Sequence, residues 1–161
     1  IGLTKTLGAV DLSVGYTYYM FPGASDDNTE EVFFGLSTEL GCGLGLALTY
    51  YEDIDQYGGG YFEFEAAKSF ELSESIVVDV AAGVAWCDDY ELNTEVDGSN
   101  MDGFNHWYIS ASVPFEIKED VSLTPYIKYV GTASELDTDF VSDDEGNDDL
   151  FYGGVTLSIA F

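Results

Sequence analysis

The C-terminal segment of the chain alternates strictly between large apolar residues and small ones. From Gly154 onward every second residue is apolar, and this series consists of Val155, Leu157, Ile159 and Phe161. Successive side chains of an extended strand point to opposite faces, so all four apolar side chains fall on one face. Gly, Thr, Ser and Ala occupy the other face. The segment therefore predicts a β-strand with one fully apolar face.

Eight segments of the chain share this period-2 pattern and are separated by turn residues. The predicted strands are approximately 8–21, 30–41, 43–52, 59–71, 75–87, 104–117, 121–132 and 149–161. Most are at least as long as the roughly 9 to 11 tilted residues that cross a bilayer. No apolar run approaches the roughly 18 to 20 residues of a membrane helix, which excludes a helical membrane protein.

The predicted connections alternate between short and long. Tight turns at 41–43, 71–74 and 118–120 alternate with polar connections at 22–29, 53–58, 88–103 and 133–148. Short turns at one end and long loops at the other are typical of outer-membrane barrels, whose long loops are extracellular. An even number of strands also puts both termini on the periplasmic side.

The two faces of the predicted strands differ in chemistry. One face is apolar, whereas the other carries small polar and charged side chains. A soluble barrel hides its apolar face, so the opposite arrangement is expected where the outer solvent is lipid. We therefore predict one all-β domain over 1–161, an eight-stranded antiparallel up-and-down transmembrane β-barrel. Its lumen would be lined by Asp11, Glu39, Glu63, Glu65, Asp79, Glu116 and Lys128.

Two residues test this assignment of faces. Lys68 falls on the apolar face close to the turn at 71–74, and its side chain is expected to extend to the lipid headgroups. Pro125 lies inside a predicted strand, where its missing N–H removes a ladder hydrogen bond. A local β-bulge is expected there.

The chain is strongly acidic, with 31 Asp and Glu residues, four Lys or Arg residues and a formal net charge of −27. This balance excludes nucleic acid as a partner, because phosphate neutralisation needs Lys and Arg. Most of the acids fall in the long connections. This anionic cap either solubilises the loops, binds divalent cations such as Ca²⁺, or attracts cations to a pore. The candidate cation ligands are Asp137, Asp139, Asp143, Asp144 and Glu145.

The residues favour no catalytic or cofactor site. His106 is the single histidine, so no histidine-based metal site or charge-relay triad can be assembled, and we expect no enzyme. Side chains fill the lumen of an eight-stranded barrel, so the interior is either a packed polar core around Lys128 or a narrow cation-selective path.

The whole chain resembles the small outer-membrane barrels of the OmpA/OmpX type. More locally, the segment 11–23, Asp-Leu-Ser-Val-Gly-Tyr-Thr-Tyr-Tyr-Met-Phe-Pro-Gly, and the segment 30–35, Glu-Glu-Val-Phe-Phe-Gly, are similar to the porin-like TorF family. The resemblance implies a bacterial outer-membrane location and a pore role, with no catalytic residues. Members of that family are usually longer, so an alternative is that this chain forms part of a larger barrel with a wider lumen.

We therefore expect a monomeric porin-like or structural protein of the outer membrane. Its partners would be the lipid bilayer and the barrel-assembly machinery, which would bind the C-terminal strand. The alternative from another functional class is a cell-surface binding module that uses its acidic loops for divalent cations or a basic partner.

Overall fold

The computed structural model describes residues 1–20, 28–73, 76–94, 100–132 and 149–159. Within these ranges the chain is all-β, and no helix there has the length and apolar character of a membrane span. The ten strands are β1 (Gly2–Leu7), β2 (Val10–Tyr19), β3 (Thr29–Leu40), β4 (Leu44–Asp53), β5 (Gly60–Ser73), β6 (Ile76–Thr94), β7 (Asn100–Ser112), β8 (Phe115–Lys118), β9 (Val121–Thr132) and β10 (Leu150–Ile159).

The strands form one antiparallel sheet in which neighbours in sequence are neighbours in space. The order is β1-β2-β3-β4-β5-β6-β7-β9-β10, and the short strand β8 also pairs with β9. The prediction of an all-β antiparallel up-and-down sheet is confirmed. The prediction of eight strands closed into a barrel is wrong in two respects. There are ten strands, and no pairing between described residues joins β1 to β10, so the sheet is open.

Two local features account for the additional strands. β1 precedes the first predicted strand and pairs with β2 from Gly2↔Gly15 to Leu7↔Val10. It has only six residues, and Lys5 interrupts its apolar face, so its alternation is weak. The predicted strand 104–117 is divided at Pro114, which has no backbone N–H and cannot donate to a ladder.

The bulge predicted at Pro125 does not form. β9 and β10 remain in register through Val155↔Pro125. The interruption lies in the adjacent strand instead, because β7 ends at Ser112 and β8 begins at Phe115. The N–H of Val113 still donates to the carbonyl of Pro125 at 3.1 Å. The missing N–H of Pro125 is therefore accommodated by the break between β7 and β8.

The sheet is strongly curved towards one face. Tyr90 on β6 donates a hydrogen bond from its hydroxyl to Glu31 Oε1 on β3 at 3.0 Å. Adjacent strands lie about 4.8 Å apart, so a flat sheet would separate these two backbones by about 14 Å. The side chains meet because the sheet curls towards them. We call the face that carries Glu31 and Tyr90 the concave face and the opposite one the convex face.

Each face is defined by rows of residues that pair across successive strands. One concave row runs through Asp11, Ser37, Ala47, Glu65, Gly83, Tyr108 and Val130. The neighbouring convex row runs through Leu12, Leu36, Leu48, Phe64, Val84 and Trp107. The alternation read from the sequence is thus maintained across the sheet, with polar groups on one face and apolar groups on the other.

The apolar face is the exposed one. Among the described residues, 31 large apolar side chains are exposed and only five hydrophobic residues are buried. Phe34 and Leu157 on the convex face are each 58% exposed, whereas Glu31 on the concave face is 5% exposed. This distribution is the reverse of the one found in soluble proteins, whose charged residues are almost never fully buried unless they are paired.

Long and short connections fall at opposite ends of the sheet, as predicted. One boundary was wrong: β6 continues to Thr94 and β7 begins at Asn100, so most of the predicted connection 88–103 belongs to these two strands.

Lys68 lies on the convex face as predicted, and its Nζ donates to the carbonyl of Cys42 in the turn after β3 at 3.1 Å. Its charge therefore lies at the short-turn end of the sheet.

Asp53 organises the connection between β4 and β5. Its Oδ1 accepts hydrogen bonds from the backbone N–H groups of Asp55, Tyr57 and Gly58, and its Oδ2 accepts one from the hydroxyl of Thr29 at 2.5 Å. Asp53 is the last residue of β4 and lies beyond the apolar convex rows. Burial acts to raise the pKa of Asp53. The hydrogen bonds from Thr29 and the backbone together lower it by more, so the pKa lies below its ordinary value.

We predict that Asp53→Ala makes the connection 54–59 susceptible to proteolysis, because three backbone N–H groups lose their acceptor. Such a loss costs about 1 to 3 kcal/mol. In the wild type, protection should be full above the ordinary pKa of 3.8 and decline as the pH falls through the lower native value. Cleavage rates by an acid-active protease at several pH values measure this. Asp55→Ala, at an exposed position of the same connection, is the control and should leave the rates unchanged.

Candidate functional site: a tyrosine and glutamate cluster on the concave face

The concave face carries a continuous group of aromatic and charged side chains between β3 and β9. We call it the concave cluster; it consists of Glu31, Tyr51, Tyr61, Glu63, Glu65, Tyr90, His106, Tyr108 and Lys128. Residues of one row lie side by side on neighbouring strands, and residues two apart on one strand occupy adjacent rows. The cluster therefore results from the register of six strands and not from any single segment.

Tyr108 is at the centre of one half of the cluster. It is 3% exposed, and its hydroxyl donates to Glu65 Oε2 at 2.5 Å and lies 3.5 Å from Glu63 Oε1. The Nζ of Lys128 lies 3.6 Å from the centre of the Tyr108 ring. One ammonium group thus lies over the ring of a tyrosine whose hydroxyl bonds to a carboxylate.

Gly83 makes this arrangement possible. It lies between Glu65 and Tyr108 in one concave row, so Tyr108 must cross it to reach Glu65 two strands away. A Cβ atom at Gly83 would come within 2.5 Å of the Tyr108 ring. Gly15 has the same relation to Phe33 on the neighbouring strand, where a Cβ atom would come within 2.3 Å of the ring. Glycine here provides space for a ring that lies across the backbone.

Three tyrosines form the other half of the cluster, towards the long connections. The ring centre of Tyr61 on β5 lies 5.8 Å from that of Tyr51 and 6.0 Å from that of Tyr90. The ring of His106 stacks on Tyr61 at 6.2 Å. A cavity of about 250 Å³ opens among Tyr19, Glu31, Tyr51, Tyr61, Glu63 and Tyr90. Its walls are thus tyrosine rings and two carboxylates.

Tyr90 reaches this cavity because of an irregularity in β6. Strict alternation after Cys87 would put Tyr90 on the convex face. The register between β6 and β7 shifts between Cys87 and Tyr90, and Asp89 adopts a positive φ of 53°. Asp is among the residues that tolerate this region, so the strand can turn Tyr90 to the concave face.

A second cavity of about 260 Å³ lies on the same face nearer the short turns. Asp11, Glu39 and Glu65 line it, together with six uncharged residues of β3, β4 and β5. Three of the seven predicted lumen carboxylates and lysines thus share this cavity, and Glu63, Glu65 and Lys128 meet around Tyr108. The other two lie apart, since Asp79 accepts a hydrogen bond from Ser69 at 2.6 Å and Glu116 is exposed on β8.

The C-terminal strand forms as predicted over the described residues. Val155, Leu157 and Ile159 lie on the convex face, each about 60% exposed, and pair with β9. Phe161 lies outside the described residues, as do the candidate cation ligands Asp137, Asp139, Asp143, Asp144 and Glu145. In the part of the chain that is described, no group of three or more His, Cys, Asp or Glu residues is placed to hold a metal ion.

Six residues of the concave cluster were omitted from the predicted lumen-lining groups: its four tyrosines, Glu31 and His106. Tyr51 and Tyr61 have the same parity along their strands as Thr49 and Glu63, so the alternation contains the signal that would have located them. Tyr90 carries no such signal, because its face depends on the irregularity at Asp89.

Comparison of the chain with protein-family models, curated proteins and solved structures finds no match. The fold and the cluster therefore define the class of protein only as an all-β antiparallel sheet. Its convex face is apolar and exposed, and its concave face is acidic and rich in tyrosine. The resemblance to OmpA/OmpX-type and TorF barrels stays a prediction.

We predict that Gly83→Ala destabilises the protein, because the new methyl group overlaps the Tyr108 ring and displaces its hydroxyl from Glu65. Overpacking of this kind costs about 1 to 3 kcal/mol. Equilibrium urea unfolding followed by tryptophan fluorescence measures it. Gly45→Ala is the matched control, since a Cβ atom there would meet only a backbone oxygen at an ordinary 3.5 Å. Equal stability of the two variants would contradict the role given to Gly83.

Proposed function

We propose that this chain is a porin-like outer-membrane protein whose convex face contacts lipid and whose concave face lines a narrow, cation-selective path. The observation that carries the proposal is the inverted distribution of side chains. Large apolar residues are exposed on one face, while Glu31, Glu63, Glu65 and Lys128 lie on the sheltered one. Exposed apolar surface of this extent is unfavourable in water, and lipid is the solvent in which it is stable.

A band of aromatic residues on the convex face supports this orientation. One convex row contains Phe34, Tyr50, Phe62, Trp86 and Phe104, on the five successive strands β3 to β7. The rings of Tyr50 and Phe62 lie 4.5 Å apart, and those of Trp86 and Phe104 lie 6.0 Å apart. We call this row the aromatic belt. Aromatic girdles at the level of the headgroups are typical of transmembrane barrels.

On β4 to β6, charged residues of the convex face lie beyond this belt or reach beyond the apolar band, whereas Lys5 on β1 pairs with Leu12 within the apolar rows. Glu52 and Asp88 belong to the next row towards the long connections. At the other end Lys68 extends to the turn at Cys42, where a charge near the interface costs only about 0 to 1 kcal/mol. The apolar band is therefore bounded by charge at both ends of these strands.

The free edges of the sheet require partners in such an environment. Unpaired N–H and C=O groups of β1 and β10 cannot be hydrated inside a bilayer, where each costs several kcal/mol. β1 and β10 are the first and ninth strands of an order in which neighbours alternate in direction, so they run the same way. We propose that they pair in parallel in the membrane and close the sheet. The alternative is that strands outside this chain pair with these edges in a larger barrel.

The charge of the concave face favours cations. Asp11, Glu39, Glu63 and Glu65 line the two cavities of the concave face, and Lys128 is the one lysine of the concave cluster. Acidic constrictions select cations, and the acidic connections raise the local cation concentration at the mouth. We expect a low conductance, because the lumen of a barrel of this size is largely filled by side chains.

Closure can be tested by disulfide cross-linking in liposomes. With both native cysteines replaced by serine, Thr4→Cys in β1 is combined in turn with Tyr152→Cys, Thr156→Cys or Ser158→Cys in β10. All four positions have concave parity, and a disulfide needs Cα atoms within about 7 Å. We expect one pair to form an intramolecular disulfide, seen as a mobility shift of the monomer. Cross-linked dimers, or no cross-link from any pair, would contradict closure.

Cation selectivity can be tested in planar bilayers with a KCl gradient across the membrane. For the wild type we expect openings with the reversal potential of a cation-selective path. The double variant Glu63→Gln, Glu65→Gln removes two charges beside Tyr108 and should be less selective for cations. Asp88→Asn, at an exposed position on the convex face, is the control. Absence of openings from folded, inserted protein would contradict the path and indicate a plugged barrel.

A further inference from the structure

We propose that the cavity among Tyr19, Glu31, Tyr51, Tyr61, Glu63 and Tyr90 binds a small organic ammonium cation, such as a quaternary or methylated amine. The inference goes beyond the proposed path, because binding needs only the cavity and not the conduction of ions. We call this cavity the tyrosine cavity.

The walls of the tyrosine cavity have the chemistry that such cations bind. An aromatic ring attracts a cation to its face, and cages of aromatic residues are the usual binding sites of quaternary ammonium groups. The Tyr61 plane is inclined by 60° to that of Tyr51 and by 44° to that of Tyr90. Rings inclined in this way form adjoining walls and not a closed stack. The cavity thus offers aromatic surface on several sides.

The tyrosine cavity also carries negative charge that its own lining does not neutralise. Glu31 is 5% exposed and accepts a hydrogen bond from Tyr90, and Glu63 is the second carboxylate of the lining. None of the six lining residues is basic. A buried carboxylate is costly without a charged partner, so a bound cation would offset the charge of Glu31.

The chain already places an ammonium group on a tyrosine next to this cavity. Lys128 Nζ lies 3.6 Å from the ring centre of Tyr108, whose hydroxyl lies 3.5 Å from Glu63 Oε1, and Glu63 also lines the tyrosine cavity. Tyr51, Tyr61 and Tyr90 also line a cavity that contains carboxylates, but none of the six lining residues is a lysine or arginine. A ligand would take the place that Lys128 occupies at Tyr108.

Size and donor chemistry favour an organic cation over a metal ion. Ca²⁺ requires six to eight oxygen ligands, whereas two carboxylates face this cavity, and the described residues contain no group of three or more His, Cys, Asp or Glu placed to hold a metal. The volume of about 250 Å³ is several times that of a water molecule and close to the lower end of small-ligand pockets. A choline-sized cation fits these dimensions.

The test is isothermal titration of the purified full chain in detergent with choline chloride, at constant ionic strength. The matched probe is 3,3-dimethylbutan-1-ol, which has the shape of choline without its charge. We expect saturable binding of choline at one site and binding of the neutral alcohol at least about 10-fold weaker, since the cation–π and carboxylate contacts are lost. Equal binding of the two probes, or no saturable binding of choline, would overturn the proposal.

Variants locate the site. Tyr61→Phe keeps the ring and should bind choline as the wild type does, whereas Tyr61→Leu should weaken binding about 10-fold or more. Tyr126→Leu, which removes a concave tyrosine outside the cavity, should leave binding unchanged. If Tyr61→Leu does not fold, Glu31→Gln replaces it, with the same expected loss. Unchanged affinity in both variants would overturn the proposal. The measurement in detergent is independent of closure and conduction, so failure here and failure of the proposed path are distinguishable.

Discussion

The register of the successive antiparallel strand pairs from β2 to β7 is the constraint on which the rest of the structure depends. Because side chains alternate with period 2, a slip of one residue in any strand would move its apolar residues to the concave face. The register keeps Asp11, Glu65 and Tyr108 in one row and Leu12, Leu36 and Trp107 in the adjacent one. The exposed apolar face and the sheltered acidic face both follow from this pairing.

The sequence was sufficient to predict most strands and the two faces, because alternation is a local signal that each strand carries by itself. It failed where a single residue changes the pattern. Pro114 divides a strand that otherwise alternates well, Lys5 obscures the apolar face of β1, and Asp89 reverses the face of Tyr90. Whether the edges of a sheet meet is not a local property either, and the predicted closure of eight strands went beyond what alternation contains.

The concave cluster was predicted in part. The parity of Glu63, Glu65 and Lys128 assigned them to the polar face of their strands. Their contacts run through the side chain of Tyr108, which crosses Gly83 to a strand two places away. Such contacts depend on register and curvature together. The tyrosine cavity has the same origin, since Glu31 and Tyr90 are brought together across three strand spacings by the curl of the sheet. Both halves of the cluster place a ring beside a carboxylate.

The proposal that lipid covers the convex face can be tested by quenching of tryptophan fluorescence with brominated phospholipids. The two tryptophans of the chain, Trp86 and Trp107, lie on this face and are 43% and 41% exposed. In liposomes we expect strong quenching by bromine on the acyl chains and weak quenching by acrylamide in the water. A variant with both replaced by Phe and with Tyr61→Trp on the concave face should lose most of the lipid quenching. Efficient quenching of the native tryptophans by acrylamide, with none by brominated lipid, would contradict the claim.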